Sequence, residues 1–227
     1  HNSLTANTTA SYNTAVGKNT MTNATTAAGN VAIGYQAMSS GVQGDYSVAV
    51  GQNALYTNTG DSNTAVGENA LFANTSGTNN TAIGRGALDV NTTGSSNVAI
   101  GVGSLDANNA NSNTAVGNSS LGSNTTGAYN VALGQNAGFA NTTGANNVAV
   151  GYNALDANTT ASDNTAVGYS ALTTNTTGTY NTALGRSALA TAETASNNTA
   201  VGYGSLTANT TGTTNTAVGD NSLGSNT

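Results

Sequence analysis

Apolar and polar positions follow one phrase that recurs along the whole chain. Its core is Asn-x-Ala-x-Gly, as in Asn130-Val131-Ala132-Leu133-Gly134 and again in Asn147-Val148-Ala149-Val150-Gly151. The closing glycine stands at Gly17, Gly34, Gly51, Gly67, Gly84, Gly101, Gly117, Gly134, Gly151, Gly168, Gly185, Gly202 and Gly219, which makes 13 copies. The spacing is 17 residues in ten intervals and 16 in two. Counting from this glycine, the residue before it is always Val, Ile or Leu, and two before it is always Ala. Three before is Thr or Val, and four before is Asn except at Ser47. Four after, ten copies carry Leu (Leu55, Leu71 and onward to Leu223), and Met21 and Met38 fill the same slot. Gly138 is the one lapse, where the neighbouring Phe139 is expected to supply the missing bulk.

A self-similar period of this length is the mark of a repeat architecture. In Thr/Val-Ala-Val/Ile/Leu the branched residues sit two apart and share one face of a strand, while Ala and Gly share the other. The Leu lies five residues past the branched residue, which breaks the alternation. The pattern therefore predicts a bend between them, placed at the glycine. The second half of the repeat, Asn-Thr-Thr-Gly, is turn chemistry. The two short copies lose their residue after Asn58 and after Asn108, which marks that stretch as a surface loop.

Each copy thus reads as a short strand, a bend, a second extended piece and a turn. One such unit cannot bury its apolar side alone, but stacked copies can. The predicted class is all-β: a parallel β-solenoid or β-roll of 17-residue coils, one repetitive domain over 1–227 with about 13 coils. Residues 1–12 and the closing Asn226-Thr227 read as parts of further copies, so the sequence is expected to be a piece of a longer fibre. Two helices and their turns need roughly 33–47 residues, so an α-solenoid is excluded. The expected core is the branched residue, the Leu or Met, and one or two Ala per coil. So thin a core predicts that three chains pack side by side into a homotrimeric rod, with the Ala face as the close contact. The phrase asparagines have two readings, an amide ladder or a simple turn preference.

Composition narrows the function. There are 3 Lys and Arg against 9 Asp and Glu, no Cys, no Pro and no Trp. Lys18, Arg85 and Arg186 cannot form the clustered basic surface that nucleic acid requires. No apolar run reaches bilayer length, so no membrane insertion is expected. The lack of Pro suits a fold in which the backbone N–H groups are wanted in ladders.

The string Asn164-Thr165-Ala166-Val167-Gly168-Tyr169-Ser170-Ala171-Leu172, continuing to Asn175-Thr176-Thr177-Gly178, resembles two groups. One is the YadA-like head of trimeric autotransporter adhesins, a left-handed parallel β-roll of three chains. The other is the repetitive shaft of phage-type tail-fibre and surface-fibre proteins, which is similar in the Asn-Thr-Thr-Gly half as well. The resemblance spans essentially the whole chain. It implies an extracellular, cell-surface or virion location, self-association in threes, and no enzymatic activity. The repeat here is a few residues longer than the adhesin-head unit.

No catalytic cluster is visible. His1 is the only His, and without Cys no usual zinc site can form. Asp89, Asp106 and Asp156 share one slot; a hard cation between the first two is set against two solvated acids, and the second reading is adopted. No metal or cofactor is expected. Asn-x-Ser/Thr recurs seven residues after the glycine at Asn74, Asn91, Asn124, Asn141, Asn158, Asn175 and Asn209. If that slot is an exposed turn, these are candidate N-glycan acceptors; the alternative is chance in a chain rich in Asn and Thr. Tyr35, Tyr152, Tyr169 and Tyr203 follow the glycine, and Tyr12, Tyr46, Tyr129 and Tyr180 precede the phrase Asn. They are read as packing residues, with sugar stacking as the alternative. The functional expectation is a rigid fibre or head segment that projects or forms an adhesive surface. Its partners would be copies of itself and a cell-surface glycan or receptor. The alternatives are a fibril joined end to end and decorated with glycans, and, behind it, a glycan- or ice-binding face. An ice face wants Thr-x-Thr arrays on a strand, whereas these threonines are adjacent and in a turn.

Overall fold

The computed structural model describes residues 2–41 and 43–225. His1 and the closing Asn226-Thr227, singled out above, lie outside the described residues. The chain divides into two compact units, His1–Ser112 and Asn113–Thr227.

The first unit carries six strands of three residues: β1 (Thr14–Val16), β2 (Val31–Ile33), β3 (Val48–Val50), β4 (Thr64–Val66), β5 (Thr81–Ile83) and β6 (Val98–Ile100). Each pairs in parallel with the next in chain order, and like slots meet: Ala32 faces Ala49, and Ala49 faces Ala65. The second unit repeats the plan with β7 (Thr114–Val116), β8 (Val131–Leu133), β9 (Val148–Val150), β10 (Thr165–Val167), β11 (Thr182–Leu184), β12 (Thr199–Val201) and β13 (Thr216–Val218). Pairing there is again parallel and sequential. Both units are all-β solenoids in which each coil hydrogen-bonds to the next.

The phrase glycine is required on two counts. Gly67 has φ +136°, and a Cβ there would stand 2.6 Å from the Gly84 carbonyl oxygen of the next coil. Beyond it the backbone does not become extended again. Asn69 and Leu71 both take the left-handed conformation, at φ 56° and 52°. The second extended piece is therefore a run of turns, and each coil holds one strand only. A left-handed L-residue costs roughly 1–2 kcal/mol. Full burial of Leu71, worth about 1.5–3 kcal/mol, and its N–H bond to the Ala87 carbonyl at 3.0 Å offset that cost.

The expected sidedness of the strand is reversed. The phrase Ala is the inward residue: Ala32, Ala65, Ala132 and Ala166 are fully buried. The branched residues point out, with Ile33, Ile83, Leu133 and Leu184 all exposed. Ala is chosen because the coil interior is narrow, and the opposite wall already supplies a buried Leu and a buried Ala or Ser at the third slot after glycine. Phe139 also fails to fill the gap at Gly138. It is exposed and lies against Gly122 of the preceding coil, while Gly138 sits at φ +60°, where glycine is the least strained residue.

The rest of the core is polar. In most coils two asparagines turn inward, and both positions link coil to coil. The phrase Asn clamps the following coil. Asn130 accepts from the N–H of Asn147 at 2.9 Å and donates to the Gly144 carbonyl at 2.9 Å. Where Ser47 replaces it, the hydroxyl oxygen takes over as acceptor for the Asn63 N–H at 3.1 Å. These asparagines thus link coil to coil chiefly through backbone partners, and amide meets amide at Asn97–Asn80, Asn198–Asn181 and Asn215–Asn198, so the amide-ladder reading holds in part.

Candidate interaction faces

The seven sequon asparagines form the second internal ladder and are not on an exposed turn. Asn74, Asn91, Asn124, Asn158, Asn175 and Asn209 are fully buried and Asn141 is 2% exposed. Their nitrogens are engaged. Asn74 Nδ2 donates to Asn58 Oδ1 at 2.6 Å and to the Gly77 carbonyl at 2.9 Å. Asn91 repeats this with Asn74 and Gly94, and Asn158 with Asn141 and Ala161. Asn175 does so with Asn158 and Gly178. Asn124 and Asn209 donate to the carbonyls of Gly127 and Gly212. A glycan on Nδ2 would replace a bonded proton and fill the coil interior, so the folded units do not accommodate N-glycans here. The Asn stays because the enclosed turn carbonyls need donors.

The two short coils explain themselves by the same ladder. Asn74 reaches the carbonyl three residues on, whereas Asn58 and Asn108 reach the one two residues on, Gly60 and Ala110, at 2.7 and 2.9 Å. The deleted residue is one of the two outer threonine positions, and the inner asparagine is kept. The surface-loop expectation holds for the outer pair and fails for the Asn beside it.

What remains outside is a sheet face and its margins. Val16, Ile33, Val50, Val66, Ile83 and Ile100 form one outward column in the first unit, flanked by the Thr or Val column two residues earlier. The second unit continues the plan from Val116 to Val218. None of these branched residues is buried.

The slot after the glycine is exposed and chemically varied. It holds every Lys and Arg of the chain, Lys18, Arg85 and Arg186, together with four of the tyrosines. In four successive coils of the second unit it forms a stack. The rings of Tyr152 and Tyr169 lie 5.3 Å apart at 15°. The Arg186 guanidinium sits 5.3 Å from the Tyr169 ring and 5.9 Å from that of Tyr203. The aromatic faces are thus used within the chain, in line with packing. The sequence showed the tyrosines in this slot; Arg186, between Tyr169 and Tyr203 in the same column, was the missed member, and its position after the glycine was the available signal. Tyr46, of the other group, lies over Gly29 of the preceding coil.

The acidic slot lines a cavity of about 230 Å³ in the first unit, opened by Gly86 and Gly103 and bordered by Glu68, Arg85, Val102, Asp89 and Asp106. Burial, then the Asp106 charge beside it, raises the Asp89 carboxyl above its ordinary value, and burial raises Asp106. Burial likewise raises Asp156 in the second unit. Arg85 at the rim supplies a positive charge where a metal ion would need ligands. Among the described residues no three His, Cys, Asp or Glu side chains converge as a metal site, and no helix is long and apolar enough to cross a membrane.

No family model, curated protein or solved structure matches the chain.

Proposed function

We propose that this chain is a structural and adhesive segment of an extracellular fibre, with three copies packed side by side. The observation that carries the reading is the outward Val/Ile/Leu column, present in every coil. A strand face that stayed in water would be free to become polar, whereas this one never does. Contiguous apolar surface of this kind suits an interface between chains. The contact runs through the branched face, and the Ala face expected to make it is inside each coil. The low charge and the resemblance to fibre repeats support a role in length, stiffness and surface presentation. The fibre reading is tested by the solution mass of the purified chain and by electron microscopy of the native particle. A mass of three chains and an attached shaft are expected. A mass of one chain overturns the side-by-side packing, and a compact particle without a shaft overturns the fibre role.

A further inference from the structure

Arg186 is the only Lys or Arg between residues 113 and 227, and it is held in an exposed aromatic stack. Tyr169 and Tyr203 stand on either side of its guanidinium, at 5.3 and 5.9 Å. These cation–π contacts position the guanidinium, while its N–H donors, which lie in its plane, make no hydrogen bond among the described residues. Tyr152 continues the row against Tyr169. The rings are 42–52% exposed, and Leu184 beside them is 46% exposed. The strip therefore offers, one per coil step of about 4.8 Å, three phenol hydroxyls and one fixed guanidinium fork beside an apolar column.

We propose that this strip binds an acidic oligosaccharide, with a sugar carboxylate on the Arg186 fork and neighbouring ring hydroxyls on the tyrosine hydroxyls. The inference deepens the adhesive reading and rests on it. A single cation suits one oxyanion and is too little for a polyphosphate backbone, whose binding is carried by many Lys and Arg contacts. A sugar ring is of the same order of length as one coil step, so successive rings can address successive coils, whereas an extended peptide advances only about 3.3 Å per residue. Arg85 occupies the same slot in the first unit but lines a cavity together with Glu68, Asp89 and Asp106 and has no ring on either side in its column, so it is the built-in control.

The test is calorimetric titration of the whole chain with an oligogalacturonate of eight rings, in low and physiological salt, against neutral cellohexaose. Binding of the acidic oligomer, weakened by salt, and none of the neutral one is expected. Arg186→Gln should lose at least tenfold in affinity, Arg186→Lys should lose part of it through loss of the fork, and Arg85→Gln should bind as the parent does. Circular dichroism identical to the parent qualifies each variant. Absence of binding by the parent, equal binding of the neutral oligomer, or parental affinity in both Arg186 variants overturns the proposal. The mass measurement above stands apart from it: a three-chain rod that does not bind removes the strip assignment alone, and a single chain that binds removes the packing alone.

Discussion

The side-chain nitrogen of Asn141 donates to the side-chain oxygen of Asn124, one coil back, at 2.7 Å, and to the Gly144 carbonyl of its own coil at 2.9 Å. Its own oxygen accepts from Asn158 at 2.7 Å. One buried amide thus ties three coils together. Asn141→Ala takes the donor from the Asn124 oxygen and the acceptor from one Nδ2 proton of Asn158, while the Gly144 carbonyl keeps the Asn130 amide at 2.9 Å. At about 1–3 kcal/mol for each buried orphan, a loss of several kcal/mol is expected, read as a lowered urea midpoint with the slope unchanged. Asn141→Asp should cost more, because a carboxylate cannot donate to either oxygen. A midpoint within error of the parent for Asn141→Ala would remove the ladder from the account of stability.

The same ladder has a gap. Ala192 occupies the slot that Asn fills in the neighbouring coils, and the Asn175 oxygen facing it is buried with no hydrogen-bond partner. Ala192→Asn should supply the missing donor and stabilise the second unit by about 1 kcal/mol. Thermal or urea unfolding measures it. Destabilisation would show that the backbone at Ala192 does not hold the geometry of its neighbours.

The burial of the sequon amides makes a prediction about modification. In folded protein treated with an oligosaccharyltransferase and a lipid-linked sugar donor, glycopeptide mapping should find no sugar at Asn74, Asn91, Asn124, Asn141, Asn158, Asn175 or Asn209, whereas the exposed sequon asparagines Asn7, Asn23, Asn79, Asn118 and Asn197 stay open to the enzyme. The chain unfolded in urea and assayed at a concentration the enzyme tolerates should become an acceptor at those seven as well. Sugar at any of those seven in the folded protein would contradict the buried ladder.

Sidedness of the strand can be tested by a pair of substitutions on adjacent residues. Ala149→Leu forces bulk into the narrow interior and should cost about 1–3 kcal/mol or prevent folding. Val150→Ser, on the outward face, should change the stability of a single chain by less than about 1 kcal/mol and weaken self-association. Equal stability losses in the two variants would mean that the branched residue contributes to the core after all.

The carboxyls of Asp89 and Asp106 are raised above their ordinary value of 3.8 in the folded state, chiefly by burial. Folded protein therefore holds protons that the unfolded chain has released. The associated stability is fully present below the unfolded pKa and is lost as pH rises through the folded one. Asp89→Asn should then stabilise the first unit at neutral pH and have no effect once the pH is below 3.8, as followed by denaturation midpoints across that range. A gain that persisted in acid would assign the effect to something other than the carboxylate.

Much of this protein is legible in its sequence because the repeat averages over 13 trials. Period, parallel stacking, the bend at the glycine and the position of the length change all follow from which residues never vary and where one can be lost. Alternation along Val148-Ala149-Val150 shows that the strand has two faces but not which one is inside. That was decided by the width of the closed coil, which admits Ala149 and not a branched neighbour once Leu155 and Ala154 hold the opposite wall. The asparagines follow the same logic. In an isolated turn Asn124 and Asn141 would bond their own backbone in water; only the closed coil buries the turn carbonyls and so draws the amides in to satisfy them. Arg186 reads as one cation among three along the chain, and the stacking of coils puts it between two rings of its own column. Sequence determined the repeating unit and its ladders. Tertiary closure decided inside and outside, because burial belongs to the stacked coil and to no single copy of the phrase.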